Sequence, residues 1–263
     1  MIKKIFKRNS HNLLFKWIAG FGISMNRIYE NRNHRIESNG ELTILKKLSV
    51  LHPQVIIDGG ANVGNYTRAA RALCREADIY CFEPVGETFK ILQENLKGLE
   101  KIHPINKGLY HRNGKQVIHL YPSHTHASVY EISHVPYETT GTAGIEMIRG
   151  DDFVREYNIH TIDFLKLDLE GAEYDALSGF ENTLQEGRIR MIQFEYGYIN
   201  ILTKHLLVDF YRFFKKYNYR LGKVFPKKVE FRDYKFKHED FIGPNFLAVK
   251  ESEKELIRLM EHR

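Results

Sequence analysis

The sequence has little cysteine and no long apolar run. Cys74 and Cys81 are the only two cysteines among 263 residues, and they offer neither a disulfide framework nor the ligand spacing of a metal site. We therefore expect both thiols to be reduced and buried, as in a cytoplasmic protein. The apolar run at residues 13–18 is too short to span a membrane and is interrupted by Lys16. It has no clear small-residue cleavage site and is not predicted to be a signal peptide.

Strand-like and helix-like segments alternate without an internal repeat or a low-complexity linker. A hydrophobic content of 43% with 27% charged residues is ordinary for a soluble globular protein of this length. The predicted strands are 55–58, 79–83, 102–106, 163–168 and 190–195, with a last pair near 219–224 and 245–249. The predicted helices are 64–76, 86–97, 172–184 and 205–217. This order predicts an α/β fold: a doubly wound, mostly parallel, seven-stranded Rossmann-like sheet.

Three parts of the chain are distinguished by their composition. Residues 1–50 form a basic, helical N-terminal extension, and residues 51–250 form the sheet domain. Residues 251–263 form a charged C-terminal helix. Within the domain, residues 108–150 interrupt the alternation and are predicted to form a β-hairpin that turns at Asn113-Gly114, followed by a polar loop. Such an insertion would lie over the ligand-binding edge of the sheet, as a lid or an acceptor-binding loop.

A glycine-rich turn follows the first predicted strand. The sequence DGGANVG at 58–64 joins an apolar run to a helix, and Glu83 ends the next strand about twenty residues later. In a doubly wound sheet that acid lies beside the loop and accepts hydrogen bonds from ribose hydroxyls. Asp58 inside the loop would repel a pyrophosphate but would pair with an ammonium group. The loop therefore fits S-adenosylmethionine better than NAD, which leaves an NAD-binding oxidoreductase and a purely structural turn as lesser alternatives.

The chain resembles the FkbM-type methyltransferases from about residue 55 to residue 200. The resemblance lies in the blocks at 58–64 and 82–84, in the distinctive block IDFLKLDLEGAE at 162–173, and in the strand at 192–195, which ends in an acid. It implies a class I methyltransferase fold, S-adenosylmethionine as methyl donor and O-methylation of a hydroxyl. The implied donor-binding residues are Asp58, Gly59, Gly60, Asn62, Gly64, Glu83, Pro84, Asn106 near the adenine, and Asp151.

The block at 162–173 also provides the candidate catalytic residues. Asp168 ends a buried strand and is expected to face the transferred methyl group. Lys166 shares its face of the strand and could pair with it or contact the acceptor. Glu170 and Glu173 follow at a helix start, where their alternative role is capping. An alcohol acceptor benefits from a base that takes its proton, and His126 in the insertion is a further candidate.

Metal dependence stays open in the sequence. Asp151 and Asp152 resemble an acid pair that precedes a helix in the family, where capping is their simpler role. If a divalent cation is used, Asp168 together with Asp152 would hold it. Mg²⁺ is possible but not indicated, because carboxylate sites for this ion have no sharp spacing. A zinc site is disfavoured, since neither cysteine nor a helical pair of histidines accompanies His126.

The formal net charge of +6 is concentrated at two places. A basic segment at 1–18 could rest on anionic lipid at the inner face of a membrane, or it could pack on the domain. Aromatic and basic residues alternate at 211–237, so an RNA methyltransferase is the alternative function. However, Phe210, Phe213, Phe214 and Tyr217 fall at helical spacing, which favours a core face. A hydroxyl on a sugar, a glycan or another small molecule is the preferred acceptor.

Overall fold

The computed structural model describes residues 10–122, 127–132 and 139–262. Eight strands form the main sheet, in the order β11-β10-β12-β9-β8-β1-β2-β3. Their bounds are β1 Val55–Gly59, β2 Asp78–Phe82, β3 Ile102–Ile105, β8 Ile162–Leu167, β9 Ile189–Glu195, β10 Tyr219–Val224, β11 Val229–Phe231 and β12 Asn245–Lys250. The five strands from β3 to β9 in this order are parallel, whereas β12, β10 and β11 extend the sheet antiparallel.

Four further strands form a separate small sheet in the order β4-β7-β5-β6. They are β4 Gly108–Tyr110, β5 Gly114–Leu120, β6 Ala127–Ser128 and β7 Gly141–Arg149. The prediction of a hairpin at 108–120 is wrong. The strands β4 and β5 do not pair with each other, because they lie on opposite sides of β7. The amide of Asn113 explains this arrangement. Its Oδ1 accepts from the backbone N–H of Arg149 at 2.7 Å, so it holds the end of β7 instead of closing a two-residue turn.

Helices cover both faces of the main sheet. Their bounds are α1 Leu13–Tyr29, α2 Ile36–Asn39, α3 Glu41–Ser49, α4 Asn65–Leu73, α5 Gly86–Leu96, α6 Gly150–Glu156, α7 Glu173–Ser178, α8 Glu181–Gln185, α9 Ile199–Thr203, α10 Leu207–Lys216 and α11 Lys254–Glu261, with a short 3₁₀ turn at Phe236–His238. Residues of α3, α4 and α11 form the core on one face, and residues of α6, α7, α8 and α10 form the core on the other. The predicted doubly wound α/β architecture is therefore confirmed, with eight strands instead of seven.

The expected single helix at 172–184 is divided into α7 and α8. A Cβ at Gly179 would lie 2.2 Å from the carbonyl oxygen of Tyr110, so the chain passes very close to β4 at this point. Asp151 then provides the start of α8, since its carboxylate accepts from the backbone N–H groups of Asn182 and Thr183. An acid placed there satisfies N–H groups that have no partner within the helix.

The N-terminal helix α1 differs from the other helices, because none of its 17 residues is buried. Among the described residues, the structure contains no helix that is long and apolar enough to cross a membrane.

Replacing Gly60 by alanine is expected to destabilise the fold. Gly60 has φ +79°, and a Cβ there would lie 1.9 Å from the carbonyl oxygen of Asp168. The left-handed backbone alone costs a non-glycine residue about 1–2 kcal/mol, and relief of the clash adds to that. We expect Gly60→Ala to lower the midpoint of urea unfolding.

Gly86→Ala is the matched control. Gly86 is the first residue of α5 and no atom lies within 4 Å of the added Cβ. Alanine is the better helix former, so this variant should keep or slightly raise the midpoint. Equal losses in the two variants would contradict the steric argument.

Candidate active site

A cavity of about 660 Å³ opens at the carboxyl ends of β1, β2, β8 and β9. This is the edge at which α/β proteins of this kind bind ligands, and the volume is that of a typical small-molecule site. Residues of the glycine-rich turn, of the strand ends and of the small sheet line it. So do residues from the N-terminal part of the chain, including His34, Asn39 and Glu41.

The glycine-rich turn is held between β2 and β8. The backbone N–H groups of Gly60 and Ala61 both donate to the carbonyl of Phe82, at 3.1 and 2.8 Å. Asn62 adopts a left-handed backbone with φ +50°, and Gly64 has φ +91° at the start of α4. Gly60 and Asn62 line the cavity, whereas Gly59 and Gly64 shape the turn without lining it.

Glu83 lies on the cavity wall beside this turn. Its carboxylate accepts from the backbone N–H of Asn62 at 3.1 Å and from that of Val85 at 2.9 Å. The residue is only 6% exposed, and burial raises its pKa to about 7, against the lowering effect of these hydrogen bonds. Pro84 also lines the cavity. Asn106 does not, since its side chain donates to the carbonyls of Glu83 and Pro84 and supports that segment from behind.

Asp58 does not lie where the sequence suggested. Its carboxylate is completely buried and accepts from the hydroxyl of Thr67 at 2.7 Å. The Nζ of Lys166 lies 3.7 Å from its other oxygen. The side chain points under α4 and does not line the cavity, so the expected direct pairing with a ligand ammonium group is replaced by an internal pairing with Lys166.

Lys166 links Asp58 to the cavity. Its Nζ donates to Asp168 Oδ2 at 3.0 Å and lies 4.7 Å from the ring centroid of Tyr66. Burial opposes the charged ammonium, but the carboxylates of Asp168, Asp58 and Glu41 outweigh it and raise the pKa of Lys166. Burial likewise opposes ionisation of Asp168, yet Lys166 and its hydrogen bond lower the pKa of that carboxyl. Both groups are therefore charged at neutral pH.

Three carboxylates meet in the wall of the cavity. One oxygen from each of Asp168, Glu170 and Glu195 lies within 4.8 Å of the others. Burial, followed by the nearby Asp168, raises the pKa of Glu195 to about 7, and burial followed by Glu195 raises that of Glu170 well above its usual range. His34 Nδ1 lies 3.3 Å from Glu195 Oε1. This cluster could hold a cationic group or a metal ion.

Glu173 and the acid pair at 151–152 lie outside this carboxylate cluster. Glu173 accepts from the backbone N–H groups of Leu169 and Gly171, and its side chain is buried beneath the turn that carries Glu170. Asp151 caps α8 and does not line the cavity. Asp152 contacts Arg155 and Asn113 in a separate surface depression, so the structure does not bring it together with Asp168. His126 lies outside the described residues.

Several cavity residues were missing from the predicted site. Glu195 ends a parallel strand, and that position is the signal that could have identified it. His34, Asn39, Glu41 and Asn245 come from outside the glycine-loop motifs, and no spacing rule links them. Gln193 joins two of them, donating to Glu41 at 2.8 Å and to Asn245 at 3.1 Å.

The aromatic side chains at helical spacing in and beside the basic segment are not available for stacking on bases. Phe210, Phe213, Phe214 and Tyr217 are buried in the core beneath the main sheet, as their helical spacing indicated. The alternative of an RNA methyltransferase loses much of its structural support, because these aromatic side chains pack in the core, although Phe236 of the same segment is exposed.

The fold is that of the Rossmann-like methyltransferase class. The family model for the methyltransferase FkbM domain matches residues 58–221. The chain belongs to this family, which confirms the resemblance seen in the sequence.

Two curated relatives share less than 30% identity with the chain. The chain is 28% identical over 155 residues to the 2-O-methyltransferase NoeI of Sinorhizobium fredii, covering 54% of this chain and 63% of that protein. It is 27% identical over 177 residues to the hexuronic acid methyltransferase AglP of Haloferax volcanii, covering 66% and 69%. The crystal structure of a methyltransferase FkbM from Methylobacillus flagellatus aligns over 75% of this chain and 44% of that chain, with 15% identity and a TM-score of 0.49.

Removing the Lys166 ammonium is expected to destabilise the protein strongly. Lys166→Met leaves the buried carboxylate of Asp58 without its cation, and breaking such a buried pair costs about 3–5 kcal/mol. The free energy of unfolding, measured with urea, should fall by that amount.

The double variant Asp58→Asn, Lys166→Met tests the cause. It removes both charges and keeps a group that can bond to Thr67, so it should recover most of the loss. A double variant as unstable as the single one would contradict the pairing argument.

Proposed function

We propose that this chain transfers a methyl group from S-adenosylmethionine to a hydroxyl oxygen of a neutral saccharide. The observation that carries the proposal is the single cavity shared by the glycine-rich turn, Glu83 and the carboxylate cluster, in a chain of the FkbM family. The donor, when bound, supplies an electrophilic methyl group on a cationic sulfur.

One part of the cavity suits the donor. Glu83 offers a carboxylate beside the turn, as a ribose acceptor requires. Ile118, Ile145 and Met147 of the small sheet provide an apolar wall for a flat base. The negative charge of Asp168 and its neighbours favours a sulfonium over a phosphate. That charge also disfavours NAD, because the same carboxylates would repel its pyrophosphate.

The remaining part of the cavity suits a polar acceptor. Asn39, Glu41, Asn245 and Glu195 offer hydrogen-bonding groups at its wall, and Gln193 holds two of them in place. Saccharides are recognised by such groups. The names of NoeI and AglP, which specify 2-O-methylation and a hexuronic acid, agree with a hydroxylated acceptor. We propose a neutral sugar for this chain, because the acidic cluster would repel a uronate.

Glu195 is the best candidate for the general base. A base works best when its pKa lies near the working pH, and that of Glu195 is raised to about 7. Lys166 lowers the pKa of Asp168, which makes it a weaker base but a stable negative charge. We therefore assign proton removal to Glu195, and we assign to Asp168 the alignment of acceptor and methyl group. His34 would take part through its contact with Glu195.

Binding of the donor is tested by calorimetry with S-adenosylhomocysteine. Glu83→Ala should weaken binding about tenfold to a hundredfold, because the ribose hydroxyls lose charge-assisted hydrogen bonds. Glu94→Ala, which removes an exposed carboxylate paired with Lys97, should leave it unchanged. Binding of NAD, with none of S-adenosylhomocysteine, would refute the proposed function.

The rate of methyl transfer should depend on pH through Glu195. A base must be deprotonated, so at saturating donor the rate should fall about tenfold per pH unit below about pH 7, the pKa of Glu195. Glu195→Gln should remove this slope and lower the plateau rate about a hundredfold or more.

Glu186→Gln alters an exposed carboxylate paired with Arg188 and serves as control; it should keep the wild-type profile. If Glu195→Gln retains the same slope, another group is the base.

Asp168→Ala should lose turnover but keep binding of S-adenosylhomocysteine.

A further inference from the structure

The helix α1 has an unusual surface. None of its 17 residues is buried, and most of its large apolar side chains are more than half exposed. They include Leu13, Leu14, Trp17, Ile18, Phe21 and Ile28. A soluble protein rarely exposes so many large apolar side chains together unless a partner or a lipid surface covers them.

These side chains are not spread evenly around the helix. At 100° per residue, Leu14, Trp17, Phe21 and Ile28 fall on one side, while Lys16 and Arg27 fall on the other. Ile23 is an apolar residue on the side of the cations. The helix is therefore amphipathic, with a broad apolar face and a basic face.

The charge of this segment has one sign. No Asp or Glu precedes Glu30, whereas Lys3, Lys4, Lys7 and Arg8 occur before α1 in the sequence. Each cation close to an anionic lipid surface contributes attraction. A basic segment with an exposed apolar face matches the chemistry of such a surface better than that of a protein groove.

The end of α1 is tied to the catalytic domain. Glu30 lies 3.2 Å from the Nζ of Lys223 and 3.5 Å from Arg232, so its charge is used internally. Asn31 donates to the carbonyls of Asn39 and Val224 at 2.8 and 3.0 Å. His34 on the cavity wall follows within five residues of the helix end.

We propose that α1 docks this protein on an anionic membrane surface, with the helix lying in the interface and its apolar face among the acyl chains. At about 1.5 Å per residue, 17 residues are shorter than a bilayer core, which favours lying over spanning. The proposal goes beyond the proposed reaction and stands whatever the acceptor is.

Trp17 provides the measurement, because it is the only tryptophan of the chain and 78% of it is exposed. The full chain is mixed with vesicles of phosphatidylcholine, alone or with phosphatidylglycerol. With phosphatidylglycerol, the emission of Trp17 should shift to the blue and the protein should sediment with the vesicles. Partitioning should exceed that on neutral vesicles by about tenfold or more.

Two substitutions on the same helix separate the faces. Phe21→Glu places a charge on the apolar face and should reduce partitioning about tenfold or more. Ile23→Glu introduces the same charge on the opposite face and should reduce it much less. Both side chains are exposed, so neither variant should change the thermal midpoint or the binding of S-adenosylhomocysteine.

Several outcomes would overturn the proposal. One is the absence of sedimentation with anionic vesicles, and another is equal binding to neutral ones. Equal losses in Phe21→Glu and Ile23→Glu would show that the apolar face is not in the lipid. Sedimentation velocity without lipid covers the remaining case: a dimer that Phe21→Glu abolishes, without vesicle binding, would assign the face to a second copy of the chain.

Discussion

The ammonium of Lys166 is the interaction on which the geometry of the site depends. It is buried between the carboxylates of Asp58 and Asp168, on neighbouring parallel strands that pair Asp58 directly with Lys166. Without this cation, the carboxylates of Asp58 and Asp168 would lie near each other uncompensated, and that of Asp58 is completely buried. With Lys166 in place, the buried Asp58 pairs with the ammonium, and Asp168 keeps a stable negative charge at the cavity wall.

The same arrangement separates the roles of two acids at adjacent strand ends. Asp168 is held ionised by Lys166, whereas at Glu195 the effects of burial and of the adjacent Asp168 outweigh those of His34 and Lys166. Their pKa values are therefore moved in opposite directions by their surroundings. A pair of acids with separated pKa values is what a site needs if one carboxyl is to hold charge and the other is to exchange a proton.

The sequence predicted the parallel strands and the glycine-rich turn well, because both have local signals. Apolar runs ending in an acid placed Glu83 and Asp168 at the cavity edge of the sheet, whereas the side chain of Asp58 is buried away from the cavity. The prediction of local structure failed where the partner of a side chain lies far away in the sequence. The amide of Asn113 bonds to β7 instead of forming a hairpin turn, and Asp151 caps a helix that begins thirty residues later. The contact of His34 with Glu195 likewise spans most of the domain, and no local pattern reports it.

The two parts of the cavity differ in where their residues lie along the chain. The turn and Glu83, assigned to the donor, belong to the region 58–221 that the family model matches, as does Glu195, whereas His34, Asn39, Glu41 and Asn245 lie before or after it. On this assignment, substrate choice can diverge in the flanking segments while the donor-binding turn stays constant. Exchanging those flanking segments between relatives would then be a route to new acceptor specificity. The donor-binding turn would still bind the methyl donor, and the flanking segments would determine which acceptor binds.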